Sequence, residues 1–270
     1  MSAPYAEVIG DPIKHSKSPL IHGFWLKALG LSGDYRRTHV KPDDLGAFIA
    51  ERRDDANWRG CNVTIPHKLA VMEHVEDPGD VRGTIGAMNT VVLQPDGTLI
   101  GTNTDAAGFY APLAELDLEG APVVVVGAGG AARAVLFALA RAKIGPVTIL
   151  GRSPLKAMGL LATFGLKGDV VALDAPLPPA ALLVNASSLG MTGQPPLDLD
   201  LSPLADDAIV YDLVYAPLRT GLLAAAESRG LDTVDGLDML IGQAALAFEL
   251  FFGKTPPEGR DEELRALLTA

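Results

Sequence analysis

The sequence predicts an α/β protein built on a parallel sheet, and three observations predict it. Residues 122–143 read PVVVVGAGGAARAVLFALARAK, four consecutive valines running into glycines and then into an apolar helical segment. A valine run without polar alternation suits a strand buried on both faces of a parallel sheet. The turn carries Gly127-x-Gly129-x-x-Ala132. Gly127 allows the tight turn off the strand, Gly129 lets a pyrophosphate approach the backbone, and Ala132 is small enough for close helix–sheet packing. The helix N-terminus then offers free N–H groups and a positive dipole end to phosphates. Finally, Val147–Leu150 supplies the next parallel strand in the required place.

Composition sets the frame. The chain has 270 residues, 48% hydrophobic and 20% charged, which is ordinary globular material for one large domain or two smaller ones. A formal net charge of -11 argues against a nucleic-acid or anionic-membrane binder. The partner expected is a small molecule, and an anionic one must meet local positive charge or oriented donors. The single cysteine, Cys61, excludes an intrachain disulfide and suits a cytoplasmic setting. The N-terminal MSAPYAEVIGDP lacks a signal-peptide pattern, and no apolar run reaches membrane-spanning length. No metal site is expected, and either a monomer or a homodimer suits the chain.

Tyr5–Gly10 reads as a short strand, and Leu20–Leu29 as a helix. Between them lies Ile13-Lys14-His15-Ser16-Lys17-Ser18-Pro19. Ser18-Pro19 suits a helix cap followed by proline at the first helical position. Capping does not account for Ser16, His15 and the lysines, and hydroxyls in such a loop can donate to a carboxylate. Asp34–Val40 reads as a second strand and Pro42–Arg53 as a helix. In the segment from Arg59 to Lys68, Asn62 and Thr64 sit two apart and share a face if extended. Pro66 is expected to open a helix with Lys68 in its first turn, where the dipole disfavours a cation. Taken alone, Lys68 reads as an ordinary surface lysine. The turn containing Asn89 feeds a strand, Asp96-Gly97 marks a hairpin, and the return strand leads to Thr104-Asp105. Asp105 precedes a helical stretch, so alone it reads as a cap or first-turn acid.

The strand end at Gly151-Arg152-Ser153 lies about 20 residues past the glycines, where an acid would bind the ribose of NAD. Arg152 and Ser153, with Lys156 a turn later, suit a 2′-phosphate instead and point to NADP. Leu182–Asn185 reads as a buried strand opening into a small-residue loop that ends at Met191. Strand C-termini line the ligand crevice in an open parallel sheet, so this loop should face the cofactor. Ile209–Tyr215 reads as another strand and Thr220–Arg229 as a helix. Leu237–Phe252 is a largely apolar helix carrying Gln243, which is either satisfied structurally or reads hydroxyl groups. A short amphipathic helix closes the tail.

Together DPIKHSKSP, GCNVTIPHK, GAMNT, GTNTD, GAGGAA, NASSLGM, YAPLRTGLL and DGLDMLIGQAALAFELFFG resemble the motifs of the shikimate dehydrogenase family, in its order, from Asp11 to Gly253. That family reduces 3-dehydroshikimate to shikimate with NADPH, reversibly, in aromatic amino-acid biosynthesis. The resemblance implies an N-terminal α/β substrate-binding domain over residues 1–105. It implies a Rossmann-type, doubly wound NADP-binding domain over 106–235, and C-terminal helices over 236–270 that complete the substrate domain. It implies Ser16 and Ser18 on the substrate carboxylate, assisted by Tyr215. Asn62, Thr64, Asn89 and Gln243 would read the ring hydroxyls or ketone, and Lys68 and Asp105 match the catalytic pair. Gly127, Ala128, Gly129, Gly130, Ala131 and Ala132 match the phosphate loop, and Arg152, Ser153 and Lys156 the clamp on the adenosine phosphate. Met191, Gly236 and Met239 fall where the family lines the nicotinamide.

The clamp departs from the family pattern of Asn-Arg-Thr followed by another arginine. Gly151 replaces the asparagine, and Lys156 gives a point charge rather than a bidentate fork. With substrate motifs before Asp105 and after Gly236, an interdomain site is expected. Two rivals are a quinate/shikimate dehydrogenase using NAD and a noncatalytic dinucleotide sensor on the same scaffold. Retention of Lys68 and Asp105 argues against the sensor, which needs no proton donor.

Overall fold

A computed structural model describes residues 3–270. The chain divides into two compact units, Met1–Thr104 with Ile241–Ala270, and Asp105–Leu240. In chain order the first holds β1 (Tyr5–Gly10), α1 (Ser18–Ala28), β2 (Asp34–His39), α2 (Leu45–Arg53), β3 (Trp58–Val63), α3 (Val81–Thr84), β4 (Thr90–Leu93) and β5 (Leu99–Thr102). The second holds α4 (Asp105–Tyr110), β6 (Val123–Val126), α5 (Gly130–Arg141), β7 (Val147–Leu150), α6 (Pro154–Thr163), β8 (Gly168–Val171), β9 (Leu182–Asn185), β10 (Ile209–Asp212), α7 (Gly221–Ser228) and β11 (Asp232–Val234). Two helices follow, α8 (Gly236–Phe252) and α9 (Asp261–Thr269).

The first unit is a five-stranded mixed sheet in the order β2-β1-β3-β4-β5. β1 lies parallel to both β2 and β3, while β4 and β5 run antiparallel. Every residue of β1 is buried, as a central strand demands, whereas β2 at the edge leaves Arg36 and Arg37 exposed. Glu7 in the middle of β1 is buried and is compensated by Arg52 Nε at 2.8 Å and by the Thr38 hydroxyl. Ala247 and Phe251 of α8 pack with Ala6, Val8, Tyr35 and Val92 of the sheet, so the end of the chain supplies part of this core.

The second unit is a six-stranded sheet, order β11-β10-β9-β6-β7-β8, with every pairing parallel. From β6 the chain winds outward to β8, then returns to β9 on the other side, which is the doubly wound arrangement with its switch point between β6 and β9. The C-terminal residues Val126 and Asn185 are paired neighbours there. All four valines of β6 are at most 1% exposed, and each contributes about 1.5–3 kcal/mol by burial.

Two segments depart from the sequence expectation. The strand expected to reach Tyr215 stops at Asp212, whose carboxylate accepts the Val214 N–H at 3.0 Å and turns the backbone out of the ladder. The helix expected from Pro66 does not form: residues 65–69 are a turn, followed by a 3-10 helix over Ala70–His74. The Lys68 carbonyl accepts from Met88 N at 2.8 Å, which takes it out of any helical ladder. Lys68 therefore does not face a helix dipole. Beyond the expected elements, α6 and the edge strand β8 complete the sheet on the β7 side.

Candidate active site

In the first unit the loop after β1 delivers Ser16 and Ser18. Their hydroxyls are 3.2 Å apart, and Arg37 Nε holds the Ser16 carbonyl at 2.7 Å. Lys17 occupies the N-cap of α1 without a cap bond from its own side chain, and Ser16 Oγ accepts from Ser18 N at 3.3 Å. The Lys17 ammonium reaches back to the Leu268 carbonyl in α9.

β3 and the start of β4 bring a buried polar cluster together. Tyr35 donates to Asn62 Oδ1 at 2.6 Å. Asn62 Nδ2 donates to Thr90 Oγ1 at 3.0 Å and to the Asn89 carbonyl at 3.3 Å. Thr90 Oγ1 and Thr104 N both donate to Asn89 Oδ1, at 3.0 and 2.8 Å. Asn89 Nδ2 donates to Thr104 Oγ1 at 2.9 Å and to Gln243 Oε1 at 3.4 Å. Asn62, Asn89 and Gln243 are thus joined, while Thr64 follows directly after β3 and is half-buried. Burial, with Cys61 and Glu7 adding to it, holds the Tyr35 phenol well above its usual range, so it remains a donor.

Lys68 is half-buried in the turn after β3. His67 anchors that turn: it is 1% exposed, and its Nε2 lies 2.7 Å from the Val40 carbonyl. The sequence reading passed over His67, Tyr35, Thr90 and Thr104. His67 lies inside the GCNVTIPHK run, the one local signal that could have marked it.

In the second unit Asp105 opens α4 and is 4% exposed. The glycine turn leaves β6 at Gly127, whose φ is +104°, and a Cβ there would sit 3.1 Å from the Ala186 carbonyl oxygen. Around Gly129 an added Cβ would meet nothing within 4 Å among the described residues, so the backbone is open to a ligand. Gly130, Ala131 and Ala132 form the first turn of α5, and Ala132 is fully buried against the sheet.

Arg152, Ser153 and Lys156 are exposed where β7 gives way to α6. Arg152 lines a cavity of about 570 Å³ with Gly151, Leu173, Asp174, Leu197 and Asp198 among its walls. Asp174 and Asp198 put negative charge on the walls that Arg152 shares. Met191 is exposed on the loop after β9, and Tyr215 is half-buried beyond β10. Gly236 is needed for close approach, since a Cβ would lie 2.5 Å from the Leu213 carbonyl oxygen. Met239 is buried in α8.

A doubly wound parallel sheet with an open glycine turn at its switch point, joined to a mixed α/β unit with a buried amide cluster, defines a dinucleotide-dependent oxidoreductase of two-unit design. Residues 8–91 match the family model of the shikimate dehydrogenase substrate binding domain, and residues 236–263 that of the shikimate 5'-dehydrogenase C-terminal domain. The shikimate dehydrogenase (NADP(+)) of Sphingopyxis alaskensis is 84% identical over 269 residues, covering 100% of this chain and 98% of that one. The shikimate 5-dehydrogenase of Thermus thermophilus, solved in complex with NADP(H) and shikimate, is 38% identical with a TM-score of 0.85, covering 98% of this chain and 99% of that one. The quinate dehydrogenase of Corynebacterium glutamicum, solved with NAD, is 30% identical with a TM-score of 0.85, covering 98% of this chain and 99% of that one. The chain belongs to the shikimate dehydrogenase family. Among the described residues no helix is long and apolar enough to cross a membrane.

Proposed function

We propose that this chain catalyses the reversible, NADP-dependent reduction of 3-dehydroshikimate to shikimate, a step of aromatic amino-acid biosynthesis on the way to chorismate. The observation that carries this reading is the 84% identity, over the whole chain, to an NADP-dependent shikimate dehydrogenase. The residues fit the cofactor. Gly127, Ala128, Gly129, Gly130, Ala131 and Ala132 would cradle the pyrophosphate on the N-terminus of α5. Arg152, Ser153 and Lys156 would hold the 2′-phosphate, and Met191, Gly236 and Met239 would line the nicotinamide. When bound, the dinucleotide supplies the hydride.

The chain's own work is to hold the ring and move one proton. Ser16 and Ser18 donate to the substrate carboxylate, with Tyr215 assisting. Asn62, Thr64, Asn89 and Gln243 read the ring hydroxyls or the ketone side. An analogue lacking a hydroxyl leaves such buried groups unpaired, which is how they discriminate. During reduction, negative charge grows on the carbonyl oxygen; the Lys68 ammonium stabilises it and gives up the proton. In oxidation the neutral amine takes the hydroxyl proton. Asp105, which opens α4, is the second member of the proposed catalytic pair. The substrate domain is residues 1–105 with 236–270, and the cofactor domain 106–235. A cytoplasmic setting suits the lone, buried Cys61, and we read the enzyme as a monomer or homodimer.

Initial rates of the purified protein with shikimate or quinate, each with NADP+ or NAD+, test the reading. Shikimate with NADP+ should give the highest kcat/KM of the four pairs. A preference for quinate with NAD+ would assign the chain to the quinate branch, and no turnover with any pair would leave a sensor.

A further inference from the structure

The strand-end segments assigned to the nicotinamide and to the substrate carboxylate both converge on one carboxylate. Asp212 closes β10 and is fully buried. Its Oδ1 accepts from Asn185 Nδ2 at 2.8 Å and from Val214 N at 3.0 Å, and its Oδ2 accepts from Thr220 Oγ1 at 2.7 Å. Each of the three donors begins a different segment beyond the C-terminal ends of β9 and β10.

Asn185 ends β9 at the switch point. Its Oδ1 accepts from Ser187 N at 3.1 Å and Ser187 Oγ at 2.7 Å, and its Nδ2 also donates to the Leu189 carbonyl at 3.0 Å. Ser187 Oγ in turn accepts from Leu189 N at 3.1 Å. The loop leading to Met191 is therefore wound around the Asn185 amide, and Asp212 fixes which way that amide faces. An amide turned by half would offer its NH2 group to the Ser187 N–H and its oxygen to Asp212, losing bonds at both ends.

Val214 N leads directly into Tyr215. The same stretch is tied back to the Met191 loop, because Leu213 N donates to the Asn185 carbonyl at 3.0 Å and Thr192 N to the Ala216 carbonyl at 2.7 Å. The third donor, Thr220, caps α7 by accepting Leu223 N at 3.2 Å. Arg152 follows the end of β7, which lies across β6 from β9 in the sheet.

We propose that Asp212 is a positioning residue: through Asn185 and Val214 it sets the segments that carry Met191 and Tyr215, and so aligns the nicotinamide half of the cofactor and the substrate carboxylate. The inference rests on the roles proposed above for Met191 and Tyr215. Asp212 touches neither ligand itself. Its loss should misplace reacting groups while leaving the adenosine end of the cofactor held as before.

The test compares wild type with Asp212→Asn, which keeps one acceptor oxygen and replaces the other by a donor. Fluorescence and competition titrations read the affinity for NADPH and for 2′-phospho-ADP-ribose, the fragment without nicotinamide. Initial rates read kcat and the two KM values. The variant should lose about 10–100-fold in kcat/KM for shikimate, the scale of a misplacement remote from the chemistry. It should bind NADPH more weakly, yet bind the fragment within about twofold of wild type. Parallel loss of fragment and NADPH binding would make Asp212 a general structural residue and overturn the proposal, as would wild-type kinetics. If Asp212→Asn does not fold, Ser187→Ala removes the hydroxyl between Asn185 and Leu189 and is read against the same outcomes. A wild-type protein that binds NADPH but oxidises no shikimate would overturn the proposed reaction instead, and the NADPH-to-fragment comparison would still decide the role of Asp212.

Discussion

The Tyr35 phenol donates a 2.6 Å hydrogen bond to Asn62 Oδ1, and that bond orients the amide whose other end supports Asn89 and Thr90. Tyr35 and Asn62 are both buried, so no water stands ready to replace the donor. Tyr35→Phe keeps the ring and leaves the Asn62 oxygen unsatisfied, which costs about 1–3 kcal/mol. A lowered midpoint of urea unfolding with an unchanged slope is the expected result. The KM for shikimate should rise with it, because Asn89 loses part of its support; an unchanged midpoint would mean that the amide finds another donor.

The clamp is tested on the cofactor pair. Arg152 lines the cavity of about 570 Å³ at the end of β7, and only NADP presents a 2′-phosphate to it. Arg152→Ala should raise the KM for NADP+ by about 10–100-fold, the worth of a charge-assisted hydrogen bond, and move that for NAD+ little. Equal losses with both cofactors would make Arg152 structural.

How much of this was legible in the sequence depended on whether the partners are neighbours in the chain. β1 was readable from Tyr5 to Gly10 because its apolar residues lie together and Asp11-Pro12 ends them, and the βα turn at Gly127 because its glycines are contiguous with strand and helix. Tyr35 and Asn62 are 27 residues apart, and Asn89 and Gln243 are 154 apart, so their pairing is visible only in the fold. Lys68 drew an argument from a helix dipole that the structure removes, since proline at position 66 starts a turn there rather than a helix. The end of β10 was placed too late because a buried aspartate, not a glycine or proline, ends it. Local pattern cannot separate such an aspartate from an ordinary strand-end acid.

His22 gives a pH dependence of stability. Its ring is stacked on Tyr35 at a centroid distance of 3.9 Å, and among the described residues neither ring nitrogen has a hydrogen-bond partner. Burial pushes its pKa down from 6.5 to about 3. Below 6.5 the unfolded chain binds a proton that the folded one refuses, so stability is lost as pH falls from about 6.5 towards 3. The slope approaches about 1.4 kcal/mol per pH unit for this one group. Measured across that window, the unfolding free energy of wild type should fall relative to that of His22→Phe as the pH is lowered. Parallel curves would show that His22 takes up its proton without cost.

Gly236 tests the packing at the start of α8. A Cβ there would lie 2.5 Å from the Leu213 carbonyl oxygen and 2.6 Å from that of Val214, neither of which can swing away like a side chain. Gly236→Ala should cost about 1–3 kcal/mol of stability. Because it pushes on the backbone leading to Tyr215, the KM for shikimate should rise as well. A thermal midpoint equal to wild type would contradict the close approach.

Lys68 carries the central chemical claim, and its kcat is the measurement that reaches it most directly. Lys68→Met keeps the length and apolar stem but cannot give or take a proton. Its kcat should fall by about 10²–10⁴-fold, the scale of general acid–base catalysis. The KM for shikimate should change far less, because Ser16, Ser18 and Tyr215 hold the carboxylate. Asp105→Asn should likewise cost mainly kcat, and the double variant should lose less than the product of the single losses, since groups acting as a unit are non-additive. A folded Lys68→Met protein with near wild-type kcat would contradict the assignment and place the proton donor elsewhere.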